Sequence, residues 1–384
     1  MMNSDNIEGC RSGIKVVHMT STHSAHDPRI WKKECQSLAR AGYNVTLIAP
    51  NERDEFEGDG HIRAVAPYRS RFERLLLTPL RVYGEALREG GDVYHFHDPE
   101  LLPYAALLSL KGKRVIYDVH ENVVKDLAGR TWIPSSLRNT VSRAFDLCDN
   151  RISRLFDGII AATPGIRQRY DQHSVPSITI FNHPVLSELK PDQPVPYQHR
   201  SFQAIYVGSL DEWRGIREIV QAIGRLSAKE NSSLAIAGTF ESRDFRGEVA
   251  EEEGWARVDH RGWSTREEVA SLMGQSRCGL VVMHDTPSHR EALPVKLFEY
   301  MSAGLPVIAS SIPKWQSIVE EHRCGLVVDP LDIDEIAAAI EWIFEHPEEA
   351  EAMGERGREA VEDQFQWSSQ GEKLISFYDK ILLQ

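Results

Sequence analysis

No stretch of this 384-residue chain approaches the roughly 20 apolar residues that a membrane-crossing helix needs. The opening segment, "MMNSDNIEGCRSG", lacks an apolar core, so a secretory signal is not expected. Cysteine is scarce: Cys10, Cys35, Cys148, Cys278 and Cys324 are odd in number, scattered and never in CxxC spacing. That pattern argues against a disulfide frame or zinc site and points to reduced thiols in a cytoplasmic protein. No glycine occurs in "HMTSTHSAHDPRIW", so the GxGxxG fingerprint of a nicotinamide-dependent dehydrogenase is missing after the first strand. Low-complexity tracts and short repeats are also lacking.

The charge that is present is unevenly placed. Residues 1–190 carry 25 Lys and Arg against 23 Asp and Glu, while residues 191–384 carry 19 against 34, within a net charge of −13. Nucleic acid is therefore not an expected partner. The first half is compatible with peripheral contact at an anionic membrane face, which the second half would oppose. The segment "YRSRFERLLLTPLRVYGEALRE" alternates basic and apolar residues and is the candidate for that contact. An ordinary helix with one buried face explains it equally.

Apolar runs alternate with helix-like stretches twice over. The first half gives "IKVVHM", "NVTLIA", "DVYHFH", "RVIYD" and "DGIIAA"; the second gives "FQAIYVG", "SLAIAG", "CGLVVM", "LPVIAS" and "CGLVVD". Runs that are apolar throughout suit parallel strands buried on both faces, and the alternation predicts two doubly wound α/β domains. Four prolines between Asn182 and Ser201 mark the linker. The expected division is 1–190, 191–365 and a C-terminal helix, 366–384, returning to the first domain. In such sheets ligands bind beyond the carboxyl ends of strands.

Several residues fall there. In "YVGSLDEWRG", a glycine-flanked turn with Gly208 and Ser209 feeds a helix start, which suits an anion, and Arg214 adds a multi-donor cation. A surface arginine at such a turn is the plain alternative. In "HREALPVKLFEYMSAGLPVI", Pro294 is placed to open a helix whose first turn holds Val295 and Lys296. Lys296 and Glu299 share a face, and Glu291 is expected in the preceding loop; a Lys296–Glu299 surface pair is the competing explanation. "YDVHE" sets His120 just after a strand. His95 and His97 share one strand face, but a single H-x-H supplies too few ligands for a metal. Asp27 of "SAHDPRI" reads either as a contact residue or as a helix cap.

Together these stretches resemble glycosyltransferase family 4, the retaining enzymes of GT-B fold. The E-x7-E pair Glu291/Glu299, "YVGSLDEWRG" and "YDVHE" carry the resemblance, with "HDPRIWKKECQSLARAGYNVTLIAP" and "FHDPELLP" typical of a surface-polysaccharide branch. The fold it implies is two Rossmann-like domains facing each other across a cleft. The activity it implies is transfer of a sugar from a nucleotide-diphosphate donor to a glycan or lipid-linked acceptor, with no cofactor or metal. By this resemblance Glu299 holds the ribose, Glu291 the donor sugar, and Arg214 and Lys296 the diphosphate with the amides near Val295. His120 adjoins the reacting sugar, and Trp263 lines the nucleobase region. Two departures stand out: Ser209 replaces the family's arginine, and "TSTHSAHDPRI" replaces a glycine-rich loop, leaving Arg29, with Asp27 and His97, as candidate contacts from the first domain. The competing functions are a sugar-nucleotide epimerase of the same fold and a non-catalytic partner subunit.

Overall fold

The computed structural model describes residues 11–129, 134–189, 195–226 and 233–382. The chain divides into two units, Met1–Asn182 with Ser368–Gln384, and His183–Trp367. The division thus falls at the start of the proline-rich stretch, because the His183 ring packs against those of Phe298 and Phe365 and Leu189 is buried in the second unit's core.

In the first unit, β1 (Lys15–Met19), β2 (Asn44–Pro50), β3 (Glu55–Glu57), β4 (Gly60–Val65), β5 (Val93–Phe96), β6 (Arg114–Val119), β7 (Gly158–Ala161) and β8 (Ser177–Thr179) form one sheet. Their order is β3-β4-β2-β1-β5-β6-β7-β8, parallel except for the β3–β4 pair. The five apolar runs of the first half are β1, β2, β5, β6 and β7, buried almost throughout. Strands β3, β4 and β8 were not legible as apolar runs, since they lie toward the sheet's edges and are partly or largely exposed. The C-terminal helix Trp367–Leu382 packs on this unit: Arg11 pairs with Asp379 at 2.6 Å, and Phe377 and Ile381 lie against Gly158.

The second unit holds β9 (Phe202–Val207), β10 (Leu234–Ala237), β11 (Val258–Gly262), β12 (Ser276–Val281), β13 (Val307–Ser310) and β14 (Gly325–Val328), all parallel, in the order β11-β10-β9-β12-β13-β14. Alternation along each strand sends side chains to opposite faces. Ala204, Tyr206, Ile236 and Leu280 enter one core, and Ile205, Ala235, Val281 and Val307 the other. The sheet is therefore covered on both sides, as fully apolar strands require. The acidic stretch after β14 forms two helices, Ile333–Glu345 and Pro347–Gln364, because Pro347 cannot continue the preceding helix. Among the described residues, no helix is long and apolar enough to cross a membrane.

Candidate active site

After β9 the chain turns through Gly208 and Ser209 to the short turn Glu212–Arg214, then Gly215, then the helix Ile216–Arg225. Asp211 caps that turn, accepting from the Arg214 amide at 3.0 Å, and its other oxygen holds the Arg214 Nε at 3.0 Å. Gly215 has φ 66°, and a Cβ there would lie 2.1 Å from the Val282 carbonyl oxygen, so this position admits only glycine.

Lys296 reaches the same turn from the helix Val295–Ser302. Its ammonium donates to the Tyr206 hydroxyl at 2.6 Å and sits 3.9 Å from the centre of that ring. The Tyr206 hydroxyl donates onward to the Ser209 carbonyl at 3.0 Å. A Cβ built on Gly208 would lie 3.4 Å from Lys296 Nζ and 3.6 Å from Arg214 Nη1. Gly208, Arg214 and Lys296, singled out separately in the sequence, thus converge on one small space with two cations at its wall. Burial, and then Arg214, hold the Lys296 pKa well below that of an ordinary lysine. An anion placed here would oppose that shift.

Two local expectations are corrected. Glu291 is the last residue of a short helix, Pro287–Glu291, capped by the Thr286 side chain, and not a loop residue. Pro294 has extended backbone, ψ 123°, and precedes the helix as its cap residue; Val295 and Lys296 supply the first turn. The turn between the helices is pinned from outside, since Trp315 Nε1 donates to the Ala292 carbonyl at 2.9 Å and Lys314 Nζ to that of Glu291 at 3.0 Å.

Glu299 lies on the same helix but accepts from Arg266 Nη1 at 2.9 Å, and Arg266 also pairs with Glu188 at 3.2 Å. Sequence reasoning missed Arg266. It opens the helix Arg266–Gly274, whose start is fixed by a reciprocal Thr265–Glu268 capping box. That T-x-x-E spacing was the available signal. Trp263, in the loop just before, is 77% exposed.

In the first unit, His120 follows β6 and its Nε2 lies 2.7 Å from Asp118 Oδ2. His97 is buried beside both, with Nδ1 3.2 Å from His120 Nε2 and 3.3 Å from Asp118 Oδ2. Arg29, expected as a donor contact, is 5% exposed and instead commits its guanidinium to Asp118, Glu34 and the Ile180 carbonyl. Asp27 does cap the helix, accepting from the Arg29 and Ile30 amides. Burial opposes ionisation of Asp118, yet Arg29 and then His120 hold its carboxyl well below the usual range.

His120, His97 and His23 border a cavity of about 820 Å³ in this unit, with Tyr117, Val119, Leu127 and Phe145 as apolar wall and Arg71, Arg74 and Glu121 as charged wall. Next to it, Asp98 accepts from Thr20, Ser21 and Thr22. His23, also missed in the sequence, bridges Asp98 at 3.3 Å and Asp27 at 3.6 Å. Burial opposes protonation of His23, but these two carboxylates raise its pKa to about 9.

Two doubly wound parallel sheets, the second with a glycine turn and Lys296 and Arg214 after its central strand, define a chain of the GT-B fold class. Two family models match in succession, "Glycosyltransferase Family 4" over residues 29–185 and "Glycosyl transferases group 1" over residues 191–360. The chain belongs to glycosyltransferase family 4. Among curated relatives, an MMP α-(1→4)-mannosyltransferase from Mycolicibacterium hassiacum is 23% identical over 44% of this chain and 40% of its own length. The chain therefore matches less than half of that relative. Sucrose-phosphate synthase from Thermosynechococcus elongatus superimposes with a TM-score of 0.75 at 18% identity, covering 96% of this chain and 99% of the other. Anabaena HepE, solved with UDP-glucose, gives a TM-score of 0.70 at 13% identity over 96% and 100%. These two likenesses concern the fold.

Proposed function

We propose that the protein is a retaining transferase using a nucleotide-diphosphate sugar, with the donor on the second unit and a glycan or lipid-linked acceptor in the cavity of the first. The observation that carries this reading is the convergence of Lys296 and Arg214 on the open side of Gly208. Cleaving a sugar–diphosphate bond leaves positive charge on the sugar ring and negative charge on the departing phosphate. Two fixed cations beside a helix start stabilise that phosphate without reorganising as the bond breaks.

Lys296 contributes a second property. Burial and Arg214 hold its pKa below that of an ordinary lysine, and a phosphate bound beside it opposes that shift. Glu299, oriented by Arg266, accepts from the ribose hydroxyls, and Glu291 orients the donor sugar. Val295 and Ser209 add backbone contacts, and Trp263 flanks the base. For retention, attack comes from the leaving-group face and the departing phosphate takes the acceptor proton, so no covalent carboxylate intermediate is required. His120, steadied by Asp118, adjoins the attacking hydroxyl. The mixed apolar and charged wall of the cavity suits an acceptor with both characters. Exposed Phe72, Leu75, Leu76 and Leu80 beside Arg71 and Arg74 support peripheral membrane contact at the cytoplasmic face.

The test is a donor screen with UDP-, GDP- and ADP-sugars, reading both nucleotide release and binding. One donor is expected to release its nucleotide in an acceptor-dependent reaction. Epimerisation without release would identify the epimerase alternative, and folded protein that binds none of these donors would overturn both enzyme readings.

A further inference from the structure

Three buried groups beside the His97–Asp118–His120 cluster, His18, Glu34 and His95, have no place in the proposed transfer. They come from three separate elements: His18 from β1, His95 from β5, and Glu34 from the helical stretch Pro28–Cys35, with His97, the residue after β5, beside them. His18, Glu34 and His95 are 0% exposed and His97 is 3% exposed. One ligand atom from each lies within 4.8 Å of the other three. The His18 and His95 rings are 4.3 Å apart, and those of His95 and His97 4.6 Å.

The hydrogen bonding of this cluster is unfinished in a directed way. His95 Nδ1 pairs with the Tyr378 hydroxyl at 2.7 Å, and His18 Nδ1 with His97 Nε2 at 3.0 Å. With the proton of each ring on Nδ1, those pairs are satisfied and His97 keeps its own Nδ1 proton for Asp118. The Nε2 atoms of His18 and His95 are then bare lone pairs. Both are buried without a hydrogen-bond partner, as are both oxygens of Glu34. Glu34 Oε2 stands 3.9 Å from His95 Nε2, too far for a hydrogen bond. Its other oxygen faces Arg29 Nε at 3.0 Å, but Arg29 is also paired with Asp118. Arg29 is therefore shared between two buried carboxylates. Buried polar atoms and charges in this condition are costly unless something completes them.

We infer that His18, His95 and Glu34 form a binding site for a divalent first-row cation, with His97 orienting His18 and Tyr378 orienting His95. Two imidazole nitrogens and a carboxylate are the ligand chemistry of Zn²⁺ and its neighbours, and too rich in nitrogen for Mg²⁺ or Ca²⁺. One such ion would take up the bare Nε2 lone pairs of His18 and His95 and the Oε2 atom of Glu34. The partners on the far ring nitrogens are those that metal-bound histidines use to fix tautomer and orientation. Metal–nitrogen bonds of about 2.0–2.1 Å require the three side chains to draw inward by small torsional adjustments. The ion would join β1, β5 and the first helix, and through Tyr378 the C-terminal helix. Its role is architectural, and it is independent of the transferase reading. His97 and His120, which border the cavity, give the route of entry.

The experiment uses the full chain, stripped with a chelator, dialysed, and titrated separately with Zn²⁺ and Co²⁺. One equivalent per chain is expected to be retained, with the visible absorption of Co²⁺ in a low-symmetry N/O site and a rise in Tm. Glu34→Gln and His95→Gln should each lose stoichiometric retention while circular dichroism shows a folded chain. Folded wild-type protein that retains no ion overturns the proposal without reference to any variant. Stoichiometric retention that persists in both variants overturns it as well, because the ion then sits on other histidines.

Discussion

The Lys296 ammonium donates to the Tyr206 hydroxyl at 2.6 Å, and that hydroxyl donates in turn to the Ser209 carbonyl. A residue from the helix that carries Glu299 is thereby fixed to the turn after β9, where it shares a wall with Arg214. Replacing Lys296 with alanine removes the charge but leaves the surrounding cores untouched. Turnover is expected to fall by ~10²-fold or more, in the range of losing a fixed transition-state donor, with an unchanged circular dichroism spectrum. Tyr206→Phe should give a smaller loss, because the cation remains and only its alignment is released. Wild-type nucleotide release in Lys296→Ala would remove the diphosphate assignment.

Arg266 supports Glu299 at 2.9 Å while its own charge is shared with Glu188. Arg266→Ala should therefore act on ribose recognition and leave the bond-breaking step largely intact. The expected signature is a KM for the donor raised ~10-fold with kcat nearly constant, as for loss of uniform binding. An equal fall in kcat and kcat/KM would instead place Arg266 in transition-state stabilisation.

His120 and Asp118 separate activity from stability. His120 is at the cavity's edge, so His120→Asn should lower turnover by ~10²-fold with little change in Tm. Asp118→Asn removes the buried carboxylate that Arg29, His97 and His120 share, which is expected to cost ~3 kcal/mol as well as activity. Thermal melts and donor-turnover assays on the same two proteins check the split.

Much of this was readable from sequence because the central strands are apolar along their whole length. Strand β11, "VDHRG", was not, since it is a half-buried edge strand in which polar residues are tolerated. The two ends of the convergence at Gly208 were legible because each is local: Gly208 and Arg214 flank one turn, and Lys296 heads one helix. The histidine cluster was not, because residues 18, 34, 95, 97, 118 and 120 meet only through the parallel order β1-β5-β6. Arg29 was misread for the same reason. Its sequence context shows a loop-edge arginine, while the sheet places Asp118 directly beside it.

The His23 bridge gives a pH dependence with a definite sign. Its folded pKa of about 9 lies above the ordinary histidine value near 6.5. The bridge's contribution to stability is therefore full below about pH 6.5, declines as the pH rises, and is lost on passing through about 9. His23→Gln should accordingly lower Tm at about pH 6 and converge on the wild type at about pH 10. Melting curves of the two proteins across that interval test it; a difference that grows with pH would contradict the assignment of Asp98 and Asp27 as its partners.

The C-terminal helix completes the first unit. Leu374, Phe377, Tyr378 and Ile381 are all buried, and Asp379 accepts from Arg11 at 2.6 Å and from Tyr43 at 2.8 Å. At ~1.5–3 kcal/mol for each large apolar side chain, their loss rivals the ~5–15 kcal/mol that stabilises a whole domain. A chain ending at Trp367 is therefore expected to lose the folding transition of the first unit and keep that of the second, read as one calorimetric transition surviving. Gly158→Ala is the gentler probe, because a Cβ there would stand 2.4 Å from Ile381 Cδ1 and 3.0 Å from the Phe377 ring. Overpacking of that kind costs ~1–3 kcal/mol, so the first-unit transition should move down in temperature and the second should not. A Gly158→Ala protein with both transitions unmoved would show that the helix does not bear on β7 as described.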